Sequence, residues 1–184
     1  MRIVGGRLSG RVLQGPKKDG IRPTADRLRE SLFNILVHAY GDPVTEARVL
    51  DLFAGTGALG LEALSRGAAF TLFVDDDAEA RALIRNNVES LGAGGTSKVY
   101  RRDVTKLGPV APLDPFSLVF LDPPYGKGLA EKALISARDG GWLTGDALIV
   151  VEETTGAFVT PESFEEIERR DYDDTEITFL KLAP

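Results

Sequence analysis

Asp51-Leu-Phe-Ala-Gly55-Thr-Gly57-Ala-Leu-Gly60 is the stretch that decides the fold. It closes a short apolar run, Val49–Phe53, and opens a segment with helical character that continues to about Arg66. Gly55–Gly60 matches G-x-G-x-x-G in the one context that gives the pattern meaning, after a strand and before a helix. Glycines there let the backbone turn tightly and lie directly against a ligand. The pattern does not choose between a dinucleotide and another adenosine cofactor. A tight turn with no ligand is the plain alternative.

Downstream of this loop, strands and helices alternate. Phe70–Val74 reads as a second strand and Ala78–Leu91 as a helix. Ser97–Arg101 is a third strand and Ser117–Leu121 a fourth, followed by a helix over about Leu129–Arg138 and a fifth strand at Ala147–Val151. Continuous apolar runs separated by helices predict a parallel sheet covered on both faces. Phe164–Tyr172 and Glu176–Leu182 flank Asp173-Asp174 with no helix between, which predicts an antiparallel hairpin closing one edge. Trp142, after Gly140-Gly141, is expected to anchor the core ahead of the fifth strand.

Upstream, Arg2-Ile3-Val4 and Arg11-Val12-Leu13 read as a short hairpin joined through GGRLSG, and a turn-rich loop follows to Pro23. Thr24 is expected to cap a helix to about Ala39, with Leu28, Leu32, Ile35, Leu36 and Ala39 on one face. The organisation expected is a basic arm over 1–23 on a body spanning 24–184.

Composition bounds the chemistry. The chain has 184 residues, 43% of them apolar, which is enough for a core without disulfides. It has no Cys and one His, His38, so a Cys/His zinc site and a Cys nucleophile are excluded and no metal centre is expected. The opening residues lack the apolar segment of a signal peptide, and no run approaches the roughly eighteen apolar residues of a spanning helix. The chain is read as a soluble, cytoplasmic protein that does not contact a membrane.

Charge is unevenly divided. Residues 1–30 hold eight Arg and Lys against three acids, net +5, so 31–184 carries −11 of the overall −6. A basic end on an acidic body suggests polyanion contact limited to that end, through Arg7, Arg11, Lys17, Lys18, Arg22, Arg27 and Arg29, with a solvated, flexible N-terminus as the plain alternative. Three of these arginines lie at or before the first turn of the first helix, the wrong end for its dipole, which suggests that a partner holds them. Pairing with Asp26 and Glu30 on the helix surface is the plainer reading for Arg27 and Arg29.

Two further acids suit an adenosine ligand. Asp75 ends the second strand, where a carboxylate can accept from both ribose hydroxyls, although Asp76 and Asp77 follow and Asp77 could simply cap the next helix. Asp103 follows the third strand, within reach of an adenine amine or as an ordinary loop acid. Asp122-Pro123-Pro124-Tyr125 then lies at the carboxyl end of the fourth strand, at the switch point of the sheet. The two prolines have fixed φ and no N–H, so the Pro123 carbonyl is rigidly held. With the Asp122 carboxylate it makes two acceptors facing one small volume, a pair suited to an exocyclic NH2. Tyr125 offers a flat face on which a base can stack. Glu152 and Glu153, at the end of the fifth strand, could approach the site, but read most simply as an edge-loop pair.

DLFAGTGALG, Asp75, Arg102-Asp103 and DPPY together resemble the Rossmann-like, S-adenosylmethionine-dependent amino-methyltransferases. GGRLSGR at 5–11 and Arg22-Pro-Thr-Ala-Asp-Arg-Leu-Arg-Glu-Ser-Leu-Phe-Asn34 narrow this to a close resemblance to the bacterial 16S ribosomal RNA guanine-N2 methyltransferase family, RsmD. The resemblance implies a seven-stranded sheet of order 3-2-1-4-5-7-6, strand 7 antiparallel, with helices on both faces. It implies S-adenosylmethionine as cofactor, with Phe53, Gly55 and Gly57 around its methionine part, Asp51 and Ala54 in the same loop, Asp75 or Asp76 on the ribose and Asp103 at the adenine. Asp122, Pro123 and Tyr125 would receive a flipped guanine of 16S rRNA, within a 30S subunit or an assembly intermediate, and the enzyme would act as a monomer. This chain departs from the family in having Asp75 where many relatives have Glu, and Tyr172-Asp173 where Tyr-Gly is frequent. Rival readings are an adenine-N6 DNA methyltransferase, which DPPY would serve equally, an NAD-dependent dehydrogenase, and a catalytically idle RNA-binding module.

Overall fold

In the computed structural model, which describes residues 1–16 and 23–184, a helix precedes an alternation of strands and helices. The elements are α1 (Pro23–Ala39), β1 (Arg48–Leu52), α2 (Ala58–Ser65), β2 (Phe70–Val74), α3 (Ala78–Ser90), β3 (Ser97–Tyr100), β4 (Phe116–Leu121), α4 (Leu129–Asp139), β5 (Leu143–Thr154), β6 (Phe164–Tyr172) and β7 (Thr175–Leu182). They form one seven-stranded sheet of order β3-β2-β1-β4-β5-β7-β6. β1 to β5 run parallel, while β7 is antiparallel to both β5 and β6. The expected order and the edge hairpin are both present.

Side chains alternate along each strand, so neighbouring residues serve opposite faces. Val49, Phe73, Leu118, Phe120 and Val150 pack on one side with Phe33 and Leu36 of α1, Leu61 of α2 and Ile84 of α3. Leu50, Leu72, Val119, Leu121 and Ile149 pack on the other with Ala133 and Leu134 of α4. Trp142 is fully buried there and donates its indole N–H to the Gly108 carbonyl at 2.7 Å.

Two expectations are revised at α1. The helix begins at Pro23, so Thr24 lies inside it and is not its cap; proline suits a first helical position, where its missing N–H has no intrahelical partner. Ala39 is exposed, and fully buried Phe33 contributes to the core in its place. β5 starts at Leu143, four residues before the apolar run, because Leu143 pairs with Phe116 across an irregular register. Asp173 takes φ +55° at the β6–β7 turn, a left-handed conformation that glycine favours and that Asp tolerates.

The N-terminal residues are built into the body. Arg2 and Val12 form one antiparallel bridge, supported by Ile3 N–H to the Arg11 carbonyl (2.9 Å) and Leu13 N–H to the Met1 carbonyl (2.9 Å). Ile3, Leu8 and Leu13 are buried in the same core as α1 and α2. The pairing expected of a hairpin is present, and residues 1–13 pack against the body. Their anchor is Glu62 of α2, wholly buried, which accepts from the N–H groups of Val4 and Gly5 at 2.9 Å each, from Arg29 at 3.0 Å and from Arg66 at 2.8 Å. Ser65 adds a bond from its hydroxyl to the Gly5 carbonyl (2.6 Å) and accepts from Leu8 N–H (3.0 Å).

Candidate active site

The strand order reverses between β1 and β4, and a cavity of about 510 Å³ opens at their carboxyl ends. The β1–α2 loop forms one wall. Phe53 has φ +57°, unusual for a bulky residue, and Gly55 and Gly57 have φ +60° and +82°. The three glycines of the motif do different work. A Cβ on Gly55 would meet only the Phe53 carbonyl, at 3.9 Å, leaving its cavity side clear. A Cβ on Gly60 would stand 2.5 Å from the Phe73 ring and 2.7 Å from Thr71, so that glycine sets how closely α2 lies on β2. Gly57 combines left-handed φ with a Cβ position 3.3 Å from Phe73.

The expected cofactor carboxylates occupy different surroundings. Asp75 accepts from Gly55 N–H through one oxygen and from Asp77 N–H through the other, both at 3.0 Å, which ties it to the glycine loop. Asp76 is exposed, and Asp77 caps α3 through Ala80 N–H at 3.2 Å. Asp51 is buried, accepts from Gly60 N–H at 3.0 Å and borders the cavity; burial is the main cause that pushes its pKa up to about 8. Ala54, also buried, lines the same wall. Asp103 is exposed and bonds Thr105 through its N–H (2.9 Å) and hydroxyl (2.7 Å), which holds its carboxyl below the usual range.

Across the cavity, β4 delivers Asp122-Pro123-Pro124-Tyr125. Pro123 is buried, while Asp122 is an exposed residue that lines the cavity. Protein packed around its carboxyl, followed by the charges of Glu152, Asp51 and Glu153, lifts it above the ordinary range. Tyr125 is 45% exposed and donates its hydroxyl to Glu152 Oε1 at 3.0 Å. Burial first, and then the Glu152 and Asp122 charges, push the Tyr125 hydroxyl pKa upward.

Glu152 belongs to the site as well, although no motif marks it. β4 and β5 are parallel with Leu121 beside Val151, so the next residue on each strand, Asp122 and Glu152, emerges level at the same crevice. Glu152 lines the cavity, and burial raises its carboxyl. Its parallel register to DPPY is the signal that the sequence holds for it. Glu153 points away into a buried structural role, accepting from Gly126 N–H at 3.0 Å and Thr154 N–H at 2.8 Å.

The basic residues separate into groups. Arg7, Arg11 and Arg27 are exposed, with Arg11 also donating to the Ser90 carbonyl at 2.7 Å. Lys17, Lys18 and Arg22 lie outside the described residues. Arg29 is a correction: it is 5% exposed, and its guanidinium is committed to Glu62, Asp26 and the Arg2 carbonyl. The partner that holds it at the start of α1 is the protein's own α2. His38 lies exposed on α1, away from the cavity lining. Among the described residues there is no cluster of metal-binding side chains, and no helix is long and apolar enough to cross a membrane.

Comparison with known proteins agrees with this geometry. Residues 1–181 match the family model described as Conserved hypothetical protein 95. Ribosomal RNA small subunit methyltransferase D of Escherichia coli K12 is 41% identical over 152 residues, covering 83% of this chain and 74% of its own length. The protein of the same name from Haemophilus influenzae is 35% identical over 167 residues, covering 89% and 84%. The solved structure of yhhF from E. coli superposes with a TM-score of 0.81 at 32% identity, over 99% of this chain and 97% of that one. With its sheet order, its glycine loop and its DPPY strand end, the chain belongs to the Conserved hypothetical protein 95 family and is an RsmD-like member of it.

Proposed function

We propose that the protein transfers a methyl group from S-adenosylmethionine to the exocyclic N2 amine of a guanine in 16S ribosomal RNA. The observation that carries this reading is one cavity lined on one side by Phe53, Ala54, Gly55 and Thr56 of the glycine loop, to which Asp75 is hydrogen-bonded, and on the other by Asp122 and Tyr125. The rRNA methyltransferase names of the relatives support the substrate class.

The residues present fit the cofactor. Gly55 leaves open space above its backbone, Phe53 is held in an uncommon conformation at the same turn, and Asp75 sits against Gly55 with a carboxylate able to accept from ribose hydroxyls. Phe53, Ala54, Gly55 and Gly57 would hold its methionine part, with Asp51 beneath them, Asp75 the ribose and Asp103 the adenine. When bound, S-adenosylmethionine supplies an electrophilic sulfonium methyl.

The protein's own groups do the rest. Asp122 and the Pro123 carbonyl accept from the two amine hydrogens, which favours a pyramidal nitrogen with its lone pair aimed away from them. Positive charge develops on that nitrogen during transfer, and the Asp122 carboxylate, lining the cavity, stabilises it. The raised affinity of Asp122 for a proton lets it hold the one that nitrogen sheds. Tyr125 stacks on a base taken out of its helix, returning about 1–3 kcal/mol of the flipping cost. Arg7, Arg11 and Arg27, together with Lys17, Lys18 and Arg22, would contact phosphates. The target is a 16S rRNA within a 30S subunit or assembly intermediate, and the enzyme acts in the cytoplasm as a monomer.

The cofactor half is tested by thermal denaturation with ligands. S-adenosylmethionine or its demethylated product should raise the melting temperature of the wild type, and Asp75→Ala should abolish that rise. Stabilisation by NAD in their place would contradict the proposal.

A further inference from the structure

The proposed chemistry accounts for Asp122, Pro123 and Tyr125 but leaves one cavity-lining carboxylate without a role. Glu152 projects into the pocket level with Asp122, from the neighbouring strand. Its Oε1 accepts the Tyr125 hydroxyl at 3.0 Å, and its Oε2 has no partner among the described residues. Tyr125 in turn is the side chain on which the base would stack, so Glu152 is fixed beside the plane of that base.

Two carboxylates at one edge of a pocket select strongly among nucleobases. The Watson–Crick edge of guanine carries two donors side by side, N1–H and N2–H2. With N2 held by Asp122 and the Pro123 carbonyl, N1–H is left needing an acceptor in an enclosed site. Adenine offers an amine beside the N1 lone pair, and an acceptor placed there would face another acceptor. Resting on the guanine-N2 reading above, we propose that Glu152 is the specificity-determining residue of the site, accepting guanine N1–H through Oε2 while Oε1 keeps Tyr125 in place. Asp122 and Glu152 emerge level at one crevice, so a base edge made of two donors can meet both carboxylates at once.

The test uses the full-length enzyme on undermethylated 30S subunits, with the guanine that the wild type modifies mapped by nuclease digestion. Subunits carrying 2-aminopurine at that position form the second substrate; this base keeps the N2 amine but presents a lone pair at N1. In Glu152→Gln, the amide oxygen can still accept from Tyr125, while its NH2 faces N1. The variant should lose about ten- to a hundredfold in kcat/KM on guanine, and its preference for guanine over 2-aminopurine should narrow or invert. The ratio of substrates is the deciding quantity, because any defect in folding scales both equally. Equal losses on the two substrates in Glu152→Gln would overturn the assignment and leave Glu152 only a support for Tyr125. Wild-type product appearing solely as N6-methyladenine would remove the guanine reading itself, and this assignment with it.

Discussion

Replacing Glu62 with Gln should unfasten the N-terminal hairpin. Four groups converge on this carboxylate: two backbone N–H groups at 2.9 Å, Arg29 at 3.0 Å and Arg66 at 2.8 Å. The Glu62 side chain is 0% exposed and that of Arg29 is 4%, so the cluster is out of water. An amide removes one of the two charges that balance Arg29, the other being Asp26 at 2.8 Å, and it cannot accept at its nitrogen. Breaking a buried pair from one side costs about 3–5 kcal/mol, and the lower end is expected here because Asp26 keeps part of the balance. For a domain of this length about 1 kcal/mol moves the melting temperature by roughly 2–4 °C, giving an expected fall of roughly 6–12 °C. Met1, Val12 and Leu13 of the hairpin also line the cavity, so cofactor-induced stabilisation should weaken in the same variant. Urea denaturation, scanning fluorimetry and limited proteolysis of the N-terminus read these effects. A Glu62→Gln protein within about 1 kcal/mol of the wild type, with an equally protected N-terminus, would refute the reasoning, because surface-like changes have that size.

Other consequences are as direct. Gly60→Ala should destabilise by about 1–3 kcal/mol through overpacking against Phe73 and Thr71, measured by denaturant titration. Gly55→Ala meets no neighbour on its open side but puts a side chain at φ +60°, so it should cost about 1–2 kcal/mol of stability in addition to weakening S-adenosylmethionine binding, measured by denaturant titration and calorimetry. Asp51 binds its proton more tightly folded, near pH 8, than unfolded, near pH 4, so its contribution to stability is lost as pH rises between those values. Asp51→Asn keeps an acceptor for Gly60 N–H and should flatten that decline in a series of melts from pH 5 to 8. Arg7→Ala and Arg27→Ala should each reduce the salt dependence of RNA binding, with the log–log slope falling by about 0.7–0.9 for every phosphate no longer neutralised.

The elements that the sequence makes legible are those whose cause is local. The glycine loop between strand and helix, the apolar strands and the DPPY terminus each carry their signal within a few residues, and β2 lies where the apolar run places it. β5 extends beyond its apolar signal because Thr144-Gly145-Asp146 interrupts the apolar run, while the pairing of Leu143 with Phe116 is fixed by the sheet. Arg29 resembles a cation for a polyanion because its counter-charge, Glu62, lies 33 positions away and on a helix whose packing sequence alone does not reveal. Glu152 shares that difficulty. Only the register between β4 and β5 sets it beside Asp122, and register is a property of two strands together. Asn87 is a third case: its side chain bonds both the Gln14 backbone and the Thr56 carbonyl, joining hairpin, glycine loop and α3 at a position with no motif.

The most direct test of the central claim is transfer of labelled methyl from S-adenosylmethionine to undermethylated 30S subunits, with protein-free 16S rRNA and duplex DNA in parallel and nuclease digestion to identify the base. The account predicts N2-methylguanine in ribosomal RNA, lost in Asp122→Ala while cofactor-induced stabilisation persists. Label recovered as N6-methyladenine in DNA, or an Asp122→Ala enzyme as active as the wild type, would contradict it.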